Sequence, residues 1–172
     1  MDKDCWLEEL ADFIVEANTK GWAAESAELS PIFPGMKSLY YKRGVWEQRD
    51  NFSGYFQAPG AIVISFKNVP VWFMTYFGKG QTQGQESIAK PTYTFLKKAL
   101  MQAASDIPFR GPQHFEEGEW AYNFRLFRGN IENFLAEENV MKDSTVVFTQ
   151  TIGGGIIIGK NAQREPVYPW LL

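Results

Sequence analysis

The sequence predicts an α+β domain: a twisted, mainly antiparallel sheet with two covering helices, built as an α-β-β-β unit that occurs twice. Three observations predict it. From Gly54 to Gly80 two apolar, β-branched and aromatic runs, Ala61–Phe66 and Val71–Phe77, flank the polar turn Lys67-Asn68, which is a hairpin pattern. Two other segments carry apolar residues at helical spacing. A set of short landmarks then recurs in the same order in both halves.

The first element is a helix over Asp4 to Asn18. Leu7, Leu10, Ala11, Ile14 and Ala17 form its apolar stripe, widened by Trp6 and Phe13. Glu8, Glu9, Asp12 and Glu16 face the other way, which is a solvated face. Asp2 or Asp4 suits the free N–H groups of the first turn, and Gly21 suits the stop. Residues 22–36 read as an irregular segment because of Pro31, Pro34 and Gly35; a connection of this length is a plain surface loop or a lid.

Strands follow at Ser38–Arg43 and Val45–Asn51, joined around Gly44. Alternation puts Trp46, Gln48 and Asp50 on one face and Val45, Glu47 and Arg49 on the other. The hairpin comes next. Its turn is not the two-residue Asn-Gly kind, and Pro70 belongs at a strand start, where a missing N–H is tolerated. In its second strand Trp72, Met74 and Tyr76 share one face, and Phe73, Thr75 and Phe77 the other. Both are largely apolar, which predicts a central strand covered on both sides. Gly78 to Gly84 reads as a flexible loop. A second helix is expected over Pro91–Ala104, buried through Phe95, Leu96, Ala99, Leu100 and Ala103. A turn-rich connector covers Phe109 to Glu117. Strands are expected at Glu119–Arg128, Ile131–Met141, Thr145–Ile152 and Ile156–Ile158, with a tail packed on the surface.

The length suits one domain over residues 1–172, with repeat halves 1–84 and 85–172. The landmarks are Gly44-Val45-Trp46 and Gly118-Glu119-Trp120, Phe56-Gln57-Ala58 and Phe134-Leu135-Ala136, the turns Lys67-Asn68 and Lys142-Asp143, and the glycines Gly78-Lys79-Gly80 and Gly153-Gly154-Gly155.

Composition excludes several functions. The net charge is −3 and the basic residues are dispersed, so direct nucleic-acid binding is disfavoured. The single cysteine, Cys5, allows no disulfide within the chain and fits the reducing cytoplasm. No apolar segment is long enough for a signal sequence core or a membrane span. With one histidine, His114, no His-based metal site forms, and a loop histidine is the plainer reading than a catalytic one. Cys5 reads as inert beside its aspartates. Gly154-x4-Gly159-Lys160 mimics a phosphate loop, but Asn161 replaces the Ser or Thr and no long helix follows. No cofactor is implied.

Aromatic residues make up 16% of the chain, which calls for a large aromatic core or an aromatic-lined pocket. The binding candidates are Trp46, Glu47, Arg49, Asp50, Trp72 and Tyr76 in the first half and Arg125 and Glu137 in the second. Charged groups inside strands pair or shift their pKa values when buried, and beside Trp or Tyr they supply the few polar groups a pocket needs. The alternative is a solvated sheet face with cross-strand ion pairs.

The stretches Glu47-Gln48-Arg49-Asp50-Asn51-Phe52-Ser53-Gly54, Phe56 to Gly60 and Pro70-Val71-Trp72-Phe73-Met74-Thr75-Tyr76-Phe77-Gly78 resemble a bacterial and archaeal domain family of unknown function. Arg110-Gly111-Pro112, Phe134-Leu135-Ala136-Glu137-Glu138 and Gly153-Gly154 extend the resemblance, with Ala136 where the family has glycine. Relatives that follow a helix-turn-helix domain imply a sensing or partner-binding role, and the family supplies no catalytic residues. The expected function is therefore a cytoplasmic, non-enzymatic module that binds a small, partly apolar ligand. The alternatives are an interaction module, acting as a homodimer or on a regulatory protein, and an enzyme using a strand carboxylate with arginine.

Overall fold

The computed structural model describes residues 1–21, 28–30, 34–81 and 86–172, with Glu28 and Leu29 described for their backbone alone. The chain runs α1 (Lys3–Lys20), β1 (Glu28–Leu29), β2 (Lys37–Arg43), β3 (Trp46–Phe52), β4 (Gln57–Phe66) and β5 (Val69–Gly80). A 3-10 turn, Glu86–Ile88, leads into α2 (Ala89–Leu100), followed by β6 (His114–Glu117), β7 (Trp120–Asn130), β8 (Asn133–Lys142) and β9 (Thr145–Ile156). The small strands β10 (Gly159–Lys160) and β11 (Pro166–Val167) pair with each other. Nine strands form one sheet in the order β1-β2-β3-β4-β5-β9-β8-β7-β6, with every neighbouring pair antiparallel. The α+β class follows directly.

Alternation fixes which face is covered. Trp46, Gln48 and Asp50 of β3, Ile62, Ile64 and Phe66 of β4, and Trp72 and Met74 of β5 are buried. So are Phe134, Ala136, Glu138 and Val140 of β8 and Phe148, Gln150 and Ile152 of β9. Both helices pack on this face. In α1, Trp6, Leu10, Phe13, Ile14 and Ala17 are buried at the expected spacing. Trp46 sits 5.5 Å from the rings of both Trp6 and Phe13 and 4.6 Å from Phe66. In α2, Phe95 stacks on Phe115 and Trp120, and Tyr93 meets Phe148 edge-on.

Several expectations change. The strand β5 is central but covered on one side: Phe73 and Phe77 are 37% and 51% exposed on the outer face. Apolar alternation on both faces does not require a second layer. The turn at Lys67-Asn68 is a two-residue hairpin turn after all, with Phe66 paired to Val69 and both turn residues at positive φ (49° and 66°). Gly78–Gly80 continue β5 and pair with Phe148–Gln150, so they are not a loop. Residues 82–84 of that expected loop, and residues 22–27 and 31–33 of the expected lid, lie outside the described residues; Glu28–Leu29 between them pair with β2. The connector before β7 holds the strand β6. The helix α2 ends at Leu100, short of Ala103, and the Asp2 side chain makes no capping bond.

Candidate functional site

Small residues on the inner face open a hollow in an otherwise aromatic core. Across β4, β5 and β9 the paired positions are Gly60 with Tyr76, Ala58 with Gly78, and Gly78 with Gln150. With no side chain at Gly60, the Tyr76 ring lies across it; a Cβ there would sit 2.2 Å from Tyr76 Cζ. Tyr76 thereby reaches β3, and its hydroxyl donates to Asp50 Oδ1 at 2.7 Å. At Gly78 a Cβ would meet the Phe148 ring at 2.5 Å and Gln150 Oε1 at 2.6 Å, so glycine lets these two side chains fold over the strand.

The second half of the site comes from the connector after α2. Arg110 is 6% exposed and its guanidinium meets Glu138 of β8, which is 0% exposed. Nε and Nη2 donate to Glu138 at 3.1–3.4 Å. Glu138 also accepts from Tyr122 Oη and from Gln150 Nε2, each at 2.7 Å. The Gly111 N–H donates to Tyr122 Oη, which fixes the connector that carries Arg110. The guanidinium also lies 5.6 Å from the Tyr76 ring centroid. Asp50 and Arg110 therefore flank one tyrosine.

These groups border a cavity of about 450 Å³ between α2 and the inner face of the sheet. Phe52, Ala58, Tyr93 and Leu96 line its apolar wall; Lys37, Gly54 and Tyr55 are its exposed lining residues. The Tyr93 hydroxyl donates to the Tyr55 carbonyl and ties α2 to the loop before β4. The volume is that of a site for a small organic molecule.

Burial sets the electrostatics of the site. Burial pushes the Asp50 carboxyl up from its ordinary 3.8 to about 6, against the opposing pull of the Tyr76 hydrogen bond and Arg110. Burial, then Asp50, pushes the Tyr76 hydroxyl well up, and burial raises Tyr93 to about 12. Burial alone would lower Arg110, but Glu138 more than offsets it and the guanidinium stays charged.

Two atoms of this cluster have no hydrogen-bond partner among the described residues: Asp50 Oδ2 and Arg110 Nη1. Neither is sealed in protein, since the sealed unpartnered atoms are Trp6 Nε1 and Gln48 Oε1. Both residues line the cavity.

Of the eight residues the sequence proposed, the structure brings Asp50 and Tyr76 together at the cavity. Trp46 is packed under α1, and Trp72 is 0% exposed with its Nε1–H donating to the Ile131 carbonyl. Glu47 pairs with Lys42, and exposed Arg49 lies over Tyr40. Arg125 and Glu137 face each other across β7 and β8 on the outer face. Arg110, Tyr122, Glu138 and Gln150 were not among the proposed residues. Glu138 follows the rule that found Asp50, a charged residue inside a strand, whereas Gln150 is uncharged and that rule does not reach it. Arg110 leaves no such signal, since it sits in an irregular connector. Among the described residues no three His, Cys, Asp or Glu side chains group as a metal site. His114 is exposed and bonded to Asn123 and Glu116. No helix among them is long and apolar enough to cross a membrane.

Fold and site together define an α+β domain whose one-sided sheet holds a buried acid and guanidinium at the edge of a cavity. The chain belongs to the family described as a domain of unknown function (DUF5680), whose model matches residues 50–157, more than half of the chain. That span holds Asp50, Tyr76, Arg110 and Glu138. No curated protein and no solved structure matches the chain.

Proposed function

We propose that this domain binds a small, partly apolar organic molecule in the cavity between α2 and the sheet, and does so without transforming it. The observation that carries this reading is the pair of nine-tenths-buried polar groups, Asp50 and Arg110, each with one atom that has no partner among the described residues, on the border of a largely apolar hollow. A polar atom left dry and unpaired costs about 1–3 kcal/mol, so a molecule that fills the hollow must supply these atoms with partners. The reading fits a sensing module in the cytoplasm, working beside a regulatory protein or as a homodimer. The exposed Phe73 and Phe77 on the outer face of β5 suit such a contact.

Native mass spectrometry of the purified protein tests the proposal, with Ala58→Trp as the variant that fills the cavity. The expected result is a defined mass, or an added fragment, retained by the wild type and lost in the variant. Equal retention by both places binding elsewhere and overturns the reading.

One observation favours a second reading, proton transfer by Asp50. A buried carboxyl pushed up to about 6, with a guanidinium on the same cavity border, is suited to acid–base chemistry. Turnover that Asp50→Asn abolishes without unfolding the protein would establish it.

We also read the fold as an internal duplication, α1 with β2–β5 and α2 with β6–β9, which makes four strands per unit. The two halves meet at β5 and β9, where Tyr76 lies opposite Ile152. The turns Lys67-Asn68 and Asp143-Ser144 both hold two positive-φ residues. Ala58 pairs with Gly78 as Phe134 pairs with Gly154, so Phe134 is the counterpart of Ala58 and not of Phe56.

A further inference from the structure

We propose that the molecule taken up is an aromatic carboxylate, its anionic end paired with Arg110 and its ring body among the tyrosines of the cavity. This rests on the ligand-binding reading above and names the class of ligand. Arg110 is the anchor. Glu138 engages the guanidinium side-on, through Nε and Nη2. The N–H groups left over, on Nη1 and on the second position of Nη2, have no partner among the described residues, and Nη1 is not sealed in protein. They share the end-on edge of the planar group, where two parallel N–H donors match the two oxygens of a carboxylate. Charge favours the same class. The lining holds three cations, Lys37, Lys97 and Arg110, against one carboxylate, Asp50. Cations stay in the majority with Glu138 counted, in a chain whose net charge is −3. Both lysines hold interactions of their own, so the pairing falls to Arg110. Asp50 does not oppose it. Burial holds its carboxyl up at about 6, so an incoming anion draws a proton from solvent onto it and the like charge disappears. The charged and titratable groups that share the lining with Asp50 are Lys37 of β2, Tyr55, Tyr76 of β5, Tyr93 and Lys97 of α2, and Arg110 of the connector. With Phe52, the three tyrosines give the border four aromatic rings, which suits an aromatic body over an aliphatic one.

Titration calorimetry near neutral pH with three probes of like shape tests this: 2-naphthoate, 2-naphthamide and 2-naphthylmethylamine. The expected result is binding of 2-naphthoate at least about tenfold tighter than either of the others. Asp50→Asn keeps an acceptor for the Tyr76 hydroxyl and removes the carboxylate. It should tighten 2-naphthoate by up to about tenfold, the cost near neutral pH of protonating a carboxyl held at about 6, and leave 2-naphthamide unchanged. The comparison among probes on the wild-type protein needs no variant to fold. Binding of the amide or the amine as tight as that of 2-naphthoate overturns the ligand class; where that binding is lost in Ala58→Trp, the cavity reading stands. Binding of 2-naphthoate equally by the wild type and Ala58→Trp places it outside the cavity and overturns the assignment. No binding by any probe overturns the ligand class, and together with no mass retained in the native spectrum it overturns the cavity reading as well.

Discussion

Glu138 is the residue on which the buried cluster depends. It accepts from Arg110, Tyr122 and Gln150 and balances the one guanidinium inside the core. Glu138→Gln leaves that charge uncompensated and should cost about 3–5 kcal/mol, read as a lower urea midpoint. Adding Arg110→Met should recover part of the loss. Asp50 makes a prediction of opposite character. Its folded-state value of about 6 lies above the ordinary 3.8, so the folded protein holds that proton more tightly than the unfolded chain. The contribution is whole below the ordinary value and is lost as pH rises through about 6, a loss on the order of 3 kcal/mol. Unfolding curves at several pH values should show Asp50→Asn gaining on the wild type over that window and holding level above it. Glu16 acts in the other direction. The hydrogen bonds from Lys20 and then Tyr41 hold it down at about 2, so its contribution is lost as pH falls from 4.5 toward that value. Being common to both proteins, it cancels in the comparison.

At the scale of elements, the cavity exists because neighbouring strands place glycine and alanine where core residues would otherwise stand. Gly60→Ala puts a methyl within 2.2–2.6 Å of the Tyr76 ring. The ring must leave, and Asp50 loses its hydrogen bond. The expected outcome is a folded protein destabilised by about 1–3 kcal/mol that no longer retains a ligand, checked by denaturation and native mass spectrometry. Ser144, at φ 63° in the β8–β9 turn, carries a left-handed strain that glycine does not. Ser144→Gly should raise stability by roughly 1 kcal/mol. The sequence showed these elements unequally. Period and turn residues marked α1, the hairpins and the inner face of β3, because burial on one face imposes alternation. They did not mark β6, which lies among Gly111, Pro112 and charged residues. Nor did they separate the covered Trp72 from the exposed Phe77, since both are aromatic and exposure is decided by where the helices land. Asp50 and Tyr76 were legible as strand residues; the pairing of Arg110 with Glu138 arises only when a connector folds onto a distant strand.

For the molecule as a whole, both helices lie on one face and the aromatic excess resolves into a core with a hollow beside it. Trp6 is 0% exposed and packs on Trp46, Phe66 and Trp170, so it joins α1, the first strands and the C-terminal segment. Trp6→Ala should cost about 3–5 kcal/mol, measured by thermal or urea unfolding, with the whole domain losing stability. The hollow is different in kind, because its polar border is incomplete. The most direct test is a crystal structure of the protein soaked in a mixture of small aromatic fragments. The account predicts a fragment between α2 and the sheet, within hydrogen-bonding distance of Asp50 Oδ2 or Arg110 Nη1. A closed hollow, with Asp50 Oδ2 and Arg110 Nη1 bonded to protein groups and fragments bound only elsewhere, would contradict it.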